Sequence, residues 1–241
     1  MKLNLNKLIR PSGIDKFRQY LTGKVYDSED YTKEESEIPD FTDELFVNDI
    51  LGLTQYSSAA DGGTALHKLI ELSSRDVMFA SGSIINGWQI NCEQPFQLVD
   101  YPELREQYVS GKIGNVFISG RVDAMSSYAI RDTKTSSSTS TYRYLKSYQW
   151  RTYLYLTGLH EFIYDLFHVY RPVGKKILNI KSYTTLHLSS YPEMRADVEN
   201  VVENYVEHLQ ILKPLIFDTI NKMSDKQKQN LIKKGIIYEN N

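Results

Sequence analysis

The sequence predicts an α/β protein in which helices are laid on a β-sheet, and two patterns carry that expectation. Alternating runs rich in β-branched and aromatic residues recur as paired segments at 116–134 and 160–188, each pair joined by turn-forming residues. Around them, 8–22, 62–72, 142–156 and 191–212 carry apolar residues at three- and four-residue spacing, the stripe of a helix lying on a core. A chain of 241 residues, 41% hydrophobic and 24% charged, is long enough for one domain with a sizeable core. That domain is placed at 1–215, with 216–241 as a helical C-terminal tail.

Each element has a local justification. In 8–22, Ser12 is expected to cap a helix that turns Ile14, Phe17 and Leu21 inward and ends at Gly23. Residues 27–44 are rich in Asp and Glu and poor in apolar residues, so they read as a solvated acidic insert. Gly62 and Gly63 are expected to break the chain before a helix capped by Asp61 or Thr64, with Leu66, Leu69, Ile70 and Leu72 at apolar spacing. Residues 88–99 alternate as a strand or strand pair holding the single cysteine, Cys92. Residues 101–113 read as an irregular excursion, with Gly114 or Asn115 opening the next strand. The polar run Thr135–Thr141 has nothing to bury and is expected to be mobile, as a connector or as a lid over substrate. Residues 142–156 form one helix ended by Gly158, and 160–171 and 177–188 an antiparallel pair across Pro172–Lys176. A helix over 191–212, interrupted by Pro214, covers one sheet face, and a lysine-rich helix follows residue 222.

The chemistry concentrates on the 116–134 hairpin. Val116–Met125 and Tyr128–Lys134 are joined by Ser126-Ser127, and strand alternation puts Asp132 and Lys134 on one face. A two-residue turn would set residue 123 opposite 130 and bring Asp123 to the same face, diagonal to Asp132. Two carboxylates and an ammonium so placed suit a divalent ion held against a phosphodiester. The hairpin alone equally fits a surface ion pair, since D-x-K triplets are common. His67 and Glu71, four apart on a helix, share a face, and a neutral imidazole is a competent further ligand; alone, His67 also fits a packed helix histidine. Glu93 is either a solvent-facing strand residue or an extra acid near the site. Gln149 and Tyr153 share a helix face, and Arg143, Lys146 and Arg151 with Tyr142 and Trp150 make the basic, aromatic mixture a nucleic-acid surface uses.

Composition sets outer limits. A net charge of −2 gives no global field for nucleic acid, although a local patch suffices for a nuclease. One cysteine excludes an internal disulfide framework and a multi-cysteine zinc or iron–sulfur site. No apolar run reaches the ~18 residues of a membrane span, and residues 1–7 lack the apolar core of a signal peptide, so a cytoplasmic location is expected.

Taken in order, Gly63-Thr64-Ala65-Leu66-His67 with Glu71, Glu93-Gln94-Pro95-Phe96, Gly120-Arg121-Val122-Asp123, Asp132-Thr133-Lys134-Thr135 and Gln149 with Tyr153 resemble the PD-(D/E)XK nucleases. More narrowly, the chain is similar to the RecB-like branch with its CRISPR-associated and phage exonucleases, over roughly residues 8–190. The resemblance implies a mixed central β-sheet flanked by α-helices. It also implies Mg²⁺ or Mn²⁺ held by His67, Asp123, Asp132 and the Thr133 carbonyl, with Lys134 orienting or helping to deprotonate the attacking water. Gln149 and Tyr153 would support the site and contact DNA, and Glu71 and Glu93 match less certain acidic positions. Many relatives carry four cysteines around an iron–sulfur cluster; here the helix Ser12–Phe17 is present and the cysteines are not, so no cluster is expected. Arg121, Arg143, Lys146 and Arg151 are candidate DNA contacts.

The implied function is metal-dependent exonucleolytic hydrolysis of DNA in recombination, replication, repair or end processing, in a phage setting for some relatives. A helicase, recombinase or single-strand-binding protein is a candidate partner. The alternatives are a nicking or structure-specific endonuclease with the same site, and a catalytically silent DNA-binding or interaction module. The complete set of His67, Asp123, Asp132 and Lys134 speaks against the silent module.

Overall fold

A computed structural model describes residues 1–23, 40–54, 58–73, 77–79, 81–98, 101–102 and 104–238. Most of the acidic insert, 27–39, lies outside the described residues. Its end does not: Thr42 caps a helix by accepting from Leu45 N, so Asp43 and Glu44 open a helix rather than finish a loop.

The N-terminal part runs β1 (Lys2–Leu3), a 3₁₀ turn at Leu5–Leu8, α1 (Pro11–Leu21), α2 (Asp43–Leu51) and α3 (Ser58–Leu72). Then come β2 (Val77–Phe79), β3 (Ser83–Ile85), β4 (Trp88–Cys92), β5 (Phe96–Leu98), β6 (Leu104–Ile113), β7 (Val116–Met125) and β8 (Ala129–Ser136). Helices α4 (Tyr142–Lys146) and α5 (Gln149–Thr157) precede β9 (Glu161–Tyr170) and β10 (Ile177–Ser189). The chain closes with α6 (Met194–Ile211), α7 (Lys213–Lys222), α8 (Asp225–Lys233) and β11 (Ile237–Tyr238).

Seven strands form one sheet in the order β3-β4-β10-β9-β8-β7-β6. It is mixed: β8 with β9 and β4 with β10 run parallel, the other neighbours antiparallel. Helices cover both faces. One core joins Ile14 and Phe17 of α1, Phe46 of α2, Leu154 of α5 and Tyr205 of α6 to Ile118, Ile130 and Phe162 of the sheet. A smaller one sets Ala65, Leu66 and Ile70 of α3 against Trp88, Ile90, Phe167 and Leu178. The mixed, helix-flanked α/β fold expected from the sequence is the fold observed.

Several local expectations change. Helix α1 starts with Pro11 at its first turn and Arg10 as the cap position, not with Ser12, and Leu21 is 58% exposed; a proline with fixed φ begins a helix without a side-chain cap. Gly62 and Gly63 lie inside α3 rather than before it. A Cβ at Gly62 would sit 3.2 Å from the Trp88 ring, and one at Gly63 would sit 3.0 Å from Thr135 Oγ1. The glycines let the helix backbone approach the sheet. Residues 104–113 are a ten-residue edge strand, joined to β7 through Gly114-Asn115, with Ile113 opposite Val116 and Gly114 at φ +55°. An edge strand with few buried side chains lacks the apolar alternation by which strands are recognised. β4 and β5 belong to different sheets, since β5 pairs with β2. The serine run is tied down: Ser136 belongs to β8, Ser138 N donates to Ser136 Oγ, Ser140 N to Ser138 Oγ, and the His168 ring contacts Ser137 O.

The C-terminal stretch buries Ile216, Ile220, Met223, Leu231 and Ile237 in the larger core, and β11 pairs with β1. No helix of the described residues is long and apolar enough to cross a membrane.

Candidate active site

The β7–β8 turn holds four residues, Ser126–Ala129, rather than two. Ser126 N donates to Ala129 O, and Ser126 Oγ accepts from Ala129 N at 3.1 Å. A serine side chain that bonds the turn backbone stabilises the longer turn. The register is therefore Met125 opposite Ile130 and Ala124 opposite Arg131, shifted from the expected pairing of 123 with 130. The backbone ladder between the two strands covers only those pairs. The next link is made by the Asp123 side chain, whose Oδ2 accepts from Thr133 N at 2.7 Å.

That same oxygen stands 3.2 Å from His67 Nδ1 on α3. Burial opposes both charges. The hydrogen bond and charge of each partner outweigh it, so His67 is held above the ordinary imidazole range and Asp123 below the usual carboxylate range. Asp132, 3% exposed, has other partners. Lys134 Nζ lies 2.5 Å from its Oδ2, and Gln149 Nε2 donates to its Oδ1 at 3.3 Å. Burial pushes Asp132 up to about 6, with Lys134 pulling down and Asp123 pushing up. Burial works against the Lys134 charge too, but Asp132 and Asp123 together raise its pKa above the ordinary lysine value. Lys134 is thus a firm cation at neutral pH, suited to orienting water and offsetting negative charge rather than to accepting a proton.

Helix α5 supports this arrangement from behind. Tyr153 Oη donates to Arg121 O at 2.9 Å, two residues before Asp123, while its ring stacks on Phe162. Gly120 makes room for it: a Cβ there would lie 2.8 Å from Tyr153 Oη and 2.9 Å from Pro11 Cγ. The expected single helix 142–156 is broken at Ser147, whose ψ of 140° is extended. The cause lies on α1. Asp15 accepts from Ser147 Oγ and, at 2.5 Å, from Tyr148 N. Arg18 donates to Lys146 O at 2.8 Å, and Arg151 donates to Lys146 O and Leu145 O. Side chains thus take up backbone groups that a continuous helix would pair internally. The break starts α5 at Gln149, which puts that amide on Asp132. Arg151, a candidate DNA contact, is engaged here against the Tyr148 and Trp150 rings, with Nε on Tyr191 Oη.

The site opens on two sides. A small polar pocket on the His67 side is lined by His67, Glu71, Tyr101, Glu106, Asp123 and Thr133. Its Arg105 donates to the carbonyls of Ile70 and Glu71 on α3 and of Ser73 just past it, closing the C-terminus of the helix that carries His67. Glu106, with φ +53°, pairs with Arg121 at 2.7 Å, so Arg121 too has a protein partner. On the Lys134 side a groove of about 740 Å³ is walled by α1 and α4 and includes Arg143 and Lys146. Glu71 lines the first pocket. Glu93 does not join the site: it follows β4, which β10 and β9 separate from β8. Asp15, Tyr101, Arg105 and Glu106 were not singled out from the sequence. Asp15 stood inside the quoted Ser12–Phe17 stretch, and the other three fell in the segment read as irregular.

The donor set is hard, with carboxylates, one imidazole and a backbone carbonyl, and Asp132 Oδ2 is buried without a directed hydrogen bond. Such donors fit Mg²⁺ or Mn²⁺. Among the described residues, however, no three His, Cys, Asp or Glu side chains stand grouped as an ion would need. His67 and Asp123 are in contact, whereas Asp132 is drawn to Lys134.

No family model matches the chain, and no curated protein matches it. Among solved structures it is similar to an alkaline exonuclease from Laribacter hongkongensis, 10% identical over 90% of this chain and 94% of that one, with a TM-score of 0.44. A phage-related exonuclease from Haemophilus somnus 129PT is 16% identical over 86% and 98%, TM-score 0.44. A protein called SSO0001 is 16% identical over 43% and 48%, TM-score 0.32, so the chain spans about half of that structure's length. With TM-scores below 0.5, these likenesses carry no argument about chemistry. On its own residues, in a mixed sheet flanked by helices and with Asp123, Asp132-Thr133-Lys134 and Gln149 with Tyr153 in that order, the chain resembles the PD-(D/E)XK nucleases.

Proposed function

We propose that the protein is a metal-dependent deoxyribonuclease that removes nucleotides from DNA ends. The observation that carries this reading is that Lys134 lies beside Asp132 on β8 and within electrostatic reach of Asp123 on β7, whose carboxylate meets His67 of α3. His67, Asp123, Asp132 and the Thr133 carbonyl are the groups that would hold Mg²⁺ or Mn²⁺. When bound, such an ion polarises the scissile phosphate and lowers the pKa of a coordinated water.

The chain's own residues have distinct parts in this reading. Lys134 stays protonated between the two carboxylates and faces the phosphate with a positive charge, offsetting what develops as the phosphodiester is attacked. Gln149 holds Asp132 by its Oδ1, while Oδ2 faces Lys134 Nζ. Tyr153 fixes the strand before Asp123 through the Arg121 carbonyl.

The test is degradation of end-labelled linear DNA and of closed circular DNA with Mg²⁺, Mn²⁺ or chelator, for the wild type and Lys134→Ala. The expected result is metal-dependent loss of the linear DNA alone, reduced roughly 10²-fold or more by the substitution. Cutting of the circle would replace the exonuclease with an endonuclease, and no cleavage of either by folded protein would refute the hydrolase.

A further inference from the structure

Tyr101 lies between the two elements that carry the metal-facing groups, and nothing in the chemistry above uses it. His67 comes from α3 and the Thr133 carbonyl from β8, with Asp123 touching both through His67 Nδ1 and Thr133 N. Tyr101 makes a second connection between the same two elements. Its hydroxyl meets Thr133 Oγ1 at 3.5 Å, and the guanidinium of Arg131, also on β8, stands 4.9 Å from its ring centroid. Toward α3, the Arg105 guanidinium stands 5.1 Å from the same centroid and donates to the carbonyls of Ile70 and Glu71. The contacts that run from His67 through Asp123 to Thr133 thus return to α3 through Tyr101 and Arg105. All five of these residues line a pocket of about 10 Å³, room for roughly one water-sized body.

We infer that Tyr101 is a positioning residue for the metal site: it ties β8 to the end of α3 and so sets the span between His67 and Thr133 that governs affinity for the ion, a role that rests on the hydrolase reading above. The ring, more than the hydroxyl, makes the tie. At 3.5 Å the hydroxyl contact is at the outer limit of a hydrogen bond. Both guanidiniums lie within the ~6 Å over which a cation is drawn to an aromatic face. That attraction grows with desolvation, and here the ring is 1% exposed and the Arg131 side chain 13%. Each guanidinium is anchored beyond the ring, Arg131 on Asp165 of β9 and Arg105 on the α3 carbonyls. A leucine would fill part of the space and attract neither. Burial and the Asp165 carboxylate hold the hydroxyl above the ordinary phenol value, so Tyr101 stays neutral and serves as no base.

The test is calorimetric titration of Mn²⁺ into metal-free wild type, Tyr101→Leu and Tyr101→Phe, each below its own unfolding transition. Tyr101→Leu should weaken Mn²⁺ binding about 10- to 100-fold, the usual effect of losing a group that orients metal ligands. Tyr101→Phe, which keeps the ring, should recover most of that loss. Raising Mn²⁺ should restore DNA cleavage to the leucine variant, a rescue that mere loss of stability would not allow. Amide exchange in chelator reads the tie without any ion: Thr133 N, bonded to Asp123, should exchange faster in Tyr101→Leu than in the wild type. A folded Tyr101→Leu that binds Mn²⁺ as tightly as the wild type overturns the inference, and if the wild type also cleaves DNA with Mn²⁺ the hydrolase reading stands without it. The expected affinities and exchange, with no cleavage of linear or circular DNA by the wild type, keep the role of Tyr101 and remove the hydrolase. A wild type that binds no Mn²⁺ and cuts no DNA overturns both.

Discussion

Gly120→Ala tests whether the close approach of α5 to β7 is what the site stands on. The added methyl carbon would lie 2.8 Å from Tyr153 Oη, 2.9 Å from Tyr153 Cε1 and 2.9 Å from Pro11 Cγ. None of these neighbours yields cheaply. Tyr153 is 3% exposed and stacked on Phe162, and Pro11 is a ring fixed in the first turn of α1. Overpacking of this kind costs about 1–3 kcal/mol. Displacing the tyrosine also gives up its bond to Arg121 O, another ~1 kcal/mol. Lower unfolded-state entropy returns about 0.4–1 kcal/mol. The net is a destabilisation near 2 kcal/mol, which for a chain of this size lowers the thermal midpoint by roughly 4–8 °C. Urea and thermal unfolding measure it. Because the Arg121 carbonyl lies two residues before Asp123, DNA cleavage at a temperature where the variant is folded should fall as well. Replacing Tyr153 by Phe in the Gly120→Ala background removes the nearest clash and should recover part of the stability. A single variant as stable as the wild type, or more so, would refute the reasoning.

Three further perturbations probe the surrounding polar networks. Arg131→Met strands Asp165, which is fully buried and held by Arg131 Nε at 2.9 Å, and should cost about 3–5 kcal/mol in urea unfolding; replacing both residues by apolar ones should recover much of it. Arg105→Lys cannot reproduce the fork across the Ile70, Glu71 and Ser73 carbonyls, and a loss of about 1–3 kcal/mol is expected, together with faster amide exchange at the end of α3. Asp15 is raised above the ordinary carboxylate value, chiefly by burial. The folded state therefore holds its proton to higher pH than the unfolded chain does, and its contribution to stability declines as pH climbs from about 4 through the folded value. Asp15→Asn removes that slope, so the stability difference between variant and wild type should shift in the variant's favour as pH rises; a pH-independent difference refutes the assignment.

What the sequence made legible was whatever recurs locally. The period-two run of β7 and the period-3.6 runs of α3 and α6 identify themselves because one face of each is apolar and buried, and β9, buried on both faces over 162–167, does so as a continuous aromatic and β-branched run. The D-x-K triplet and the helical His67 could be placed on neighbouring elements for the same reason. What stayed illegible depends on partners distant in the chain. Gly62 and Gly63 look like chain breakers until Trp88 and Thr135 are seen pressed against α3. Residues 142–156 have the pattern of one helix, and only Asp15 and Arg18, about 130 residues earlier in the chain, break it. β6 is polar because it is an edge, and an edge has no periodicity to report. Glu106 and Arg105 were hidden inside it.

The strand at the centre of the site carries charge on both faces, and this links the two networks. β8 lies between β9 and β7, where apolar residues on both sides would be the stable choice. It instead alternates Arg131, Asp132, Thr133 and Lys134, so that Arg131 points to Asp165 and Tyr183 while Asp132 and Lys134 point to one another. Buried pairs of this kind seldom repay their desolvation, and apolar replacements are often neutral or stabilising. On the Arg131 side the pairing is complete: two bonds join the guanidinium to the carboxylate, and Tyr183 Oη donates to the same acid. On the Asp132 side it is not, since Oδ2 has a cation beside it but no directed hydrogen bond, and burial has lifted its pKa to about 6. A fully satisfied network therefore holds β8 in place from one face, and the other face keeps a carboxylate that gains by meeting a further cation. That asymmetry is expected of a strand whose second face is built to bind rather than only to fold.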